Sequence, residues 1–482
     1  MSPALMEINH ALRFHTNSSL PSRLLSTLTL VILVKTIFLI IILQKWILLI
    51  SFLVLIFIFK GYFLNASPVY LVDFSCFKPP NFCRVSFSAF LEHASMIECF
   101  DSESVAFMSR ILTSSGQSEE TYLPPALHSI PPITNQEESV KEVQMVLFPI
   151  VEDLLSKTGV SPGDIDILIV NCSGFCPSPS LTSVIINKYS MRNDIKSYNL
   201  SGMGCSAGAI AIDLAHGILK THKNFYALVL STEILSTGWY SGHERSKLLL
   251  NCLFRMGSAA ILLTNKKEAK KSSKYKLFCT VRTQRAFEDN AYFAAFREED
   301  SNGKLGVTLK KDLLQVAGET LKPNITILGS KILSLLEKLR HGISIIGKRY
   351  IDKTRGTYVP NFKTVIQHFC LPTSGRPVIK EIVKGLKLGD REVEAALMTL
   401  HRFGNQSSSS LWYELAYMEA KERVKKGDKV WQLGMGSGPK CNSLVWECLR
   451  PITGESKKGP WADSVHRYPI MAVDTPRRRY FN

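Results

Sequence analysis

Ile195-Lys196-Ser197-Tyr198-Asn199-Leu200 leads through Ser201-Gly202-Met203-Gly204 to Cys205-Ser206, and then into Ala207-Gly208-Ala209-Ile210-Ala211-Ile212-Asp213-Leu214-Ala215. The first run reads as a short strand and the last as a buried helix, with the glycines forming the corner between them. Cys205 then stands at a strand-to-helix corner with its sulfur at the helix N-terminus. Unpaired N–H groups and the helix dipole favour a thiolate there. The pattern makes Cys205 a candidate nucleophile. Its plain alternative is an inert buried cysteine.

On both sides of this corner the chain alternates strands and helices. Asn135–Thr158 has a helical pattern, and Ile165–Val170 is an apolar run of buried-strand length. Phe225–Ser231 and Ala259–Leu263 read as two further buried strands, and Lys266–Lys276 as a solvated basic connection. In the second half, Lys363–Leu371 reads as a strand and a helix follows with Pro377 at its start. Leu411–Val424 reads as an amphipathic helix, and Lys429–Leu433 as a strand running into Gly434-Met435-Gly436-Ser437-Gly438. Residues 65–125 read as an irregular collar. The grammar is that of an α/β protein with sheets buried on both faces, in two halves alike in pattern rather than in residue identity.

From Leu24 to Leu64 the chain is almost wholly apolar, broken by Lys35, Gln44-Lys45 and Lys60. One helix crosses a bilayer in about 20 residues, and this run is about twice that. Two spans, Leu24–Leu43 and Trp46–Leu64, fit that length; one span near Thr36–Phe59 is the rival. Arg13 and Arg23 before the run, and Lys60, Lys78 and Arg84 after it, favour a hairpin with both ends in the cytoplasm. The run is too long, and starts too late, for a cleaved signal peptide.

The 482 residues carry 58 Lys+Arg against 41 Asp+Glu, a formal net charge of +17. Such a surface attracts polyanions, and anionic lipid or coenzyme A phosphates fit better than nucleic acid, for which no binding motif is present. The 11 cysteines form no disulfide framework, which suits a reducing compartment. Cys172-x3-Cys176 lacks a second half, so it reads as packing and no metal site is expected. Glycosylation-type triplets begin at Asn17, Asn65, Asn171, Asn199, Asn324 and Asn405; those at 199 and 405 overlap the candidate site, which favours a body facing the cytosol.

A second chemical cluster is Leu400-His401-Arg402-Phe403-Gly404-Asn405-Gln406-Ser407-Ser408-Ser409-Ser410. Its serines are good helix caps. An amide at Asn405 can donate to an oxyanion, and a histidine nearby can do the same or move a proton. The plain alternative is a capped helix start with a structural His401.

Asn199–Gly208, Arg245–Leu249 with Asn251–Ala260, His368-Phe369-Cys370, His401–Tyr417 and Trp431–Ser443 together resemble the plant 3-ketoacyl-CoA synthases, over about residues 68 to 455. The resemblance implies a thiolase-like five-layer αβαβα duplicated fold behind an N-terminal membrane-spanning segment. It divides the chain into a tail (1–23), a membrane segment (24–64), a half carrying the nucleophile (65–290), a half carrying His and Asn (291–455) and a basic tail (456–482). It implies a condensing enzyme of very-long-chain fatty acid elongation in the endoplasmic reticulum membrane. A long-chain acyl group is loaded on cysteine, malonyl-CoA is decarboxylated, and a 3-oxoacyl-CoA two carbons longer is released. No cofactor is implied. A homodimer, membrane lipid and the other elongase subunits are the implied partners.

By that resemblance Cys205 matches the nucleophile, Asn405 the family asparagine, and His368 and His401 two further histidines. Phe254 matches a phenylalanine that screens the site from water, and Gly434, Gly436 and Gly438 a glycine-rich loop beside the nucleophile. Two positions depart. Pro372 stands where the family has the histidine paired with its asparagine, and proline offers no donor. Gln284 also replaces a histidine, and glutamine cannot move a proton at neutral pH. Two readings follow: an active condensing enzyme with a rearranged donor set, or an impaired homologue that binds acyl-CoA or elongase partners and regulates active enzymes.

Overall fold

A computed structural model describes residues 19–64, 68–350 and 358–470. The chain divides into two units, Met1–Ala66 and Ser67–Asn482.

In the first unit, one helix, α1 (Ser19–Leu64), runs without a turn through Gln44-Lys45. The hairpin expectation is therefore corrected. Gln and Lys are good helix formers, and no Gly or Pro lies between Leu24 and Lys60. Ser26–Phe57 is long and apolar enough to cross a membrane, and its described side chains are exposed. At about 1.5 Å per residue it is longer than the roughly 30 Å of bilayer hydrocarbon. Arg13, Asn17 and Asn65 lie outside the described residues.

The second unit is built on nine strands: β1 (Tyr70–Cys76), β2 (Ile167–Asn171), β3 (Lys196–Leu200), β4 (Tyr226–Thr232), β5 (Ser258–Thr264), β6 (Tyr275–Gln284), β7 (His368–Cys370), β8 (Lys429–Gly436) and β9 (Lys440–Cys448). Their order is β7-β8-β9-β6-β1-β5-β4-β2-β3. Parallel pairing joins β2 to β3 and to β4, and β7 to β8, while the remaining pairs are antiparallel. β2 and β5 are buried at every residue, as a strand covered on both faces must be.

Helices complete the layers. The inner layer holds α4 (Ala207–Thr221), which packs against β2 and β4 on one side and against β8 and β9 on the other. Small residues at Ala207–Ala209, Ala211 and Ala215 suit that double contact. Two outer helices, α2 (Gln136–Thr158) and α6 (Leu313–Ile332), cover β1 and β5, and β6 and β9, respectively. The remaining helices used below are α3 (Leu181–Tyr189), α5 (Arg245–Leu253), α7 (Leu335–Tyr350), α8 (Arg376–Leu386), α9 (Asp390–Phe403) and α10 (Ser410–Ala420). This is the thiolase-like arrangement expected.

Several local expectations change. The 65–125 segment holds the central strand β1 and two helices, Phe87–Ser95 and Ser102–Ser115, rather than an irregular collar. The Lys266–Lys276 connection is not wholly solvated: Lys274 is buried and paired with Asp73 and Glu419. β6 pairs with β9 along its length but with β1 only at Tyr70 and Leu71, so the second half's strands begin before residue 291. α10 is buried on nearly all sides rather than amphipathic, because β1, β7 and β8 all pack on it. The tail after residue 456 is in part core: Trp461 and Tyr468 are buried, and Trp461 Nε1 donates to Tyr413 O. Arg477-Arg478-Arg479 lies outside the described residues.

Candidate active site

The corner after β3 tightens into a short 3-10 turn, Gly204–Ser206, which runs directly into α4. Gly204 has φ +61, and a Cβ there would lie 2.5 Å from Ser437 N. The turn therefore demands glycine on two counts, conformation and space. On the facing side, a Cβ on Gly436 would lie 2.5 Å from Met203 O and 2.6 Å from Ser206 Oγ. Gly434 and Gly436 belong to the end of β8 rather than to a loop; only Gly438, with φ +60, sits in the β8–β9 turn.

Cys205 opens onto a small cavity of about 10 Å³, room for one water. Asn405, Ser407, Pro372, Thr373, Gly434 and Met435 share its lining. Asn405 is held at the end of α9 by its backbone: its N–H donates to Leu253 O at 3.3 Å, and Arg255 N donates to Asn405 O at 2.9 Å. Its Oδ1 accepts from Ser407 N at 2.8 Å, so its NH2 is left as the donor, and the side chain acts to lower the pKa of the Cys205 thiol.

Ser407 has φ 55, uncommon for a residue with a Cβ. Its Oγ lies 3.5 Å from Cys205 Sγ and 3.1 Å from Glu233 Oε2. One hydroxyl proton serves one of these at a time. Glu233 Oε1 accepts from Gly174 N at 2.7 Å and faces the Cys172 sulfur at 3.7 Å. Below, Ser408 Oγ donates to Asn171 Oδ1 at 2.7 Å, and a Cβ on Gly208 would lie 2.7 Å from Ser408 O. The missing side chain lets α4 press against the serine turn.

The expected thiolate is corrected. Part of Cys205 stays accessible, yet its packing is tight enough that burial pushes the thiol up to about 11, with Ser407 pulling it down and Glu233 adding to the rise. Burial also raises the Glu233 carboxyl. Desolvation here outweighs the helix terminus.

Neither expected histidine lines the cavity. His368 stands at the start of β7, its Nε2 2.9 Å from Asp428 Oδ2, while the cavity lies beyond the other end of that strand at Pro372. His401 points its Nδ1 at the Tyr468 hydroxyl, 3.0 Å away, and burial lowers its ring to about 4. His401 lies in the last turn of α9, which ends at Phe403, whereas Asn405 lies two residues beyond that end. Phe254 is half-buried and touches the site through backbone, in an isolated bridge with Asn405. Gln284 is exposed at the end of β6. Glu233, Ser407 and Thr373 went unread as site residues. Glu233 does carry one signal, its place just past the C-terminal end of β4.

Residues 62–350 match the model of the FAE1/type III polyketide synthase-like protein family, and residues 363–448 that of the 3-oxoacyl-[acyl-carrier-protein] synthase III C terminal. The chain is 52% identical over 422 residues, 87% of its length and 85% of the relative's, to 3-ketoacyl-CoA synthase 5 of Arabidopsis thaliana. The chain belongs to the 3-ketoacyl-CoA synthase family. Another member, 3-ketoacyl-CoA synthase 6 of the same plant, is 50% identical over 86% of the chain and 84% of its own length. A fungal type III polyketide synthase superposes with a TM-score of 0.61 over 79% of this chain and 99% of its own, at 14% identity, which speaks to fold alone. Of the two positions expected to depart from the family pattern, Pro372 lines the cavity and Gln284 does not.

Proposed function

We propose that this chain is a condensing enzyme of fatty acid elongation, joining a long-chain acyl-CoA to malonyl-CoA through an acyl-Cys205 intermediate. The observation that carries the reading is the cavity shared by Cys205 and Asn405, in which the asparagine's Oδ1 is taken up by Ser407 N and its NH2 is left to donate.

Loading begins with loss of the Cys205 proton. It passes to Ser407 Oγ while the Ser407 hydroxyl proton passes to Glu233 Oε2, along the 3.5 Å and 3.1 Å contacts. The sulfur attacks the acyl carbonyl, and coenzyme A leaves and takes up the proton. Malonyl-CoA then loses carbon dioxide, and the enolate carbon attacks the cysteinyl thioester. The tetrahedral oxyanion collapses to 3-oxoacyl-CoA and expels the Cys205 thiolate, which is reprotonated. Asn405 donates to the oxygen on which negative charge develops, and a fixed donor aimed at developing charge is a strong stabiliser. No cofactor enters these steps.

Anchoring by α1 fits an elongase at the endoplasmic reticulum membrane. Asn171, Asn324 and Asn405 are buried, which leaves no room for a glycan and supports a body in the cytosol. Homodimerisation and association with a ketoreductase, a dehydratase and an enoyl reductase belong to the same reading.

Microsomes containing the full chain, supplied with labelled malonyl-CoA and acyl-CoA of several lengths, test it. The wild type is expected to release 3-oxoacyl-CoA, and Cys205→Ala to release none. A wild type that acylates Cys205 yet forms no product at any chain length overturns the reading and returns the chain to the regulatory class.

A further inference from the structure

Pro372 lines the cavity and offers no donor where the sequence resemblance implies a histidine, and the next residue bears on how the reaction proceeds without one. Thr373 lines the same cavity as Cys205 and Asn405 and is 2% exposed. Its Oγ1 is buried with no hydrogen-bond partner among the described residues. A buried hydroxyl is rarely left unpaired, because it has given up water and received nothing in return. The other polar side chains of the cavity that bear on the sulfur are engaged: Asn405 Oδ1 with Ser407 N, and Ser407 Oγ with Cys205 and Glu233. The loop bearing Thr373 is fixed at its root, where Leu371 N donates to Glu414 Oε2 of the buried helix α10 at 2.8 Å. Thr373 is thus an unengaged donor in the lining of the cavity it shares with Cys205.

We propose that Thr373 is a catalytic residue, its hydroxyl and the Asn405 NH2 together forming the donor pair for the malonyl thioester oxygen as it becomes an enolate. This rests on the condensing-enzyme reading above. In the step, the bond between the malonyl carboxylate carbon and Cα breaks, and its electron pair forms the Cα=C bond. The carbonyl pair moves onto oxygen, and carbon dioxide leaves. Thr373 donates a hydrogen bond and keeps its proton throughout, so no acid or base is consumed. When the enolate carbon attacks the acyl group on Cys205, the carbonyl re-forms and the hydroxyl is released unchanged. A neutral alcohol meets every requirement of this role, which explains how a site with proline at 372 retains two donors. Loading of Cys205 makes no call on this pair for the malonyl oxygen, so the two half-reactions separate.

The test uses the full chain in microsomes and measures two things on each variant: acylation of Cys205 from labelled acyl-CoA, and 3-oxoacyl-CoA formed from labelled malonyl-CoA. Thr373→Val keeps the shape and loses the hydroxyl; Thr373→Ser keeps the hydroxyl. Thr373→Val is expected to lower condensation by about 10²–10³, the usual effect of losing one such donor. Its acylation is expected to stay near the wild-type rate, and Thr373→Ser is expected to recover most of the condensation. The thermal stability of Thr373→Val is expected to hold or rise, because an orphaned polar group has gone. Condensation by Thr373→Val at the wild-type rate overturns the proposal. If Thr373→Val loses acylation as well, Thr373→Ala is measured in the same way, and equal loss of both half-reactions in both variants also overturns it. A wild type without product is a failure of the condensing reading itself, and so is distinguishable.

Discussion

Cys205, the proposed nucleophile, is held by burial in its protonated form. Burial puts its thiol at about 11, so alkylation by iodoacetamide is expected to rise about tenfold per pH unit between pH 8 and 10, read on the Cys205 peptide by mass spectrometry. A plateau near pH 7 would show a thiolate the structure does not favour. Glu233→Gln separates the two ways in which the carboxylate acts on the sulfur. Removing its charge lowers the thiol's pKa and speeds alkylation at a given pH. Removing the proton acceptor beyond Ser407 slows acyl loading by about 10²-fold or more. Opposite signs in the two assays support the relay, whereas faster loading contradicts it. Cys205 was legible as a candidate from local context, a glycine corner before an apolar helix, whereas Asn405 stood out from a plain capped helix start only beside the cysteine cluster and the family resemblance. Glu233 was not, since it meets Ser407 across 174 positions of chain. His401 misled for the opposite reason: nearness in sequence to Asn405 says nothing about which side of α9 its ring takes.

Among the elements, the contact of β8 with the Cys205 turn is the one that the chemistry depends on most. A Cβ on Gly436 would meet backbone, at 2.5 Å from Met203 O and 2.9 Å from Ser206 N. The turn would have to move by a fraction of an ångström or more. Gly436→Ala is therefore expected to cut condensation by about 10²-fold, the scale set by small misplacements of a reacting group. At Gly434 the nearest atoms are at 3.4 and 3.5 Å, ordinary contact, so Gly434→Ala is expected to be much milder in the same microsomal assay. Helix α9 carries a pH dependence of its own. His401 is neutral in the fold, with burial holding it at about 4 against an ordinary 6.5. The unfolded chain takes up the proton first as pH falls, so stability drops between about pH 6.5 and 4, by up to about 3 kcal/mol. Thermal unfolding at pH 7 and pH 5 is expected to show this loss in the wild type and a smaller one in His401→Gln. The apolar strands β2, β4 and β5 were readable because uninterrupted burial leaves a continuous apolar run. β1 and β6 were not, because Asp73 and Ser75 in one, and Lys276, Thr280 and Arg282 in the other, break that run. The polar side chains of β1 are explained only by partners far along the chain: Asp73 pairs with Lys274, and Ser75 Oγ donates to Asp153 Oδ2.

At the scale of the molecule, the paired halves were visible as a rhythm of strands and helices, but their joining was not. β1, from the stretch read as a collar, pairs with both β5 and β6 and so brings the strands of the two halves into one order. Lys274, at the root of β6, holds this junction. It is 2% exposed and pairs with Asp73 at 2.9 Å, Glu419 of α10 at 2.8 Å and Glu455 at 3.2 Å, thereby tying together three segments distant in sequence. Burial works against its charge, yet the surrounding carboxylates hold the ammonium well above its usual range. Glu419 feels the converse: burial pushes its carboxyl up against the pull of Lys274, and Tyr275 donates to its other oxygen at 2.8 Å. Such a cluster adds little over a well-packed apolar one, but breaking it strands a buried charge. Lys274→Met is therefore expected to destabilise the second unit by about 3–5 kcal/mol. Adding Glu419→Gln removes the stranded charge while keeping the Tyr275 partner, so the double variant is expected to regain part of the loss. Thermal unfolding of the wild type, the two single variants and the double variant reads this coupling directly. Additive effects would mean that Lys274 and Glu419 act independently, and that the junction is held by strand pairing alone.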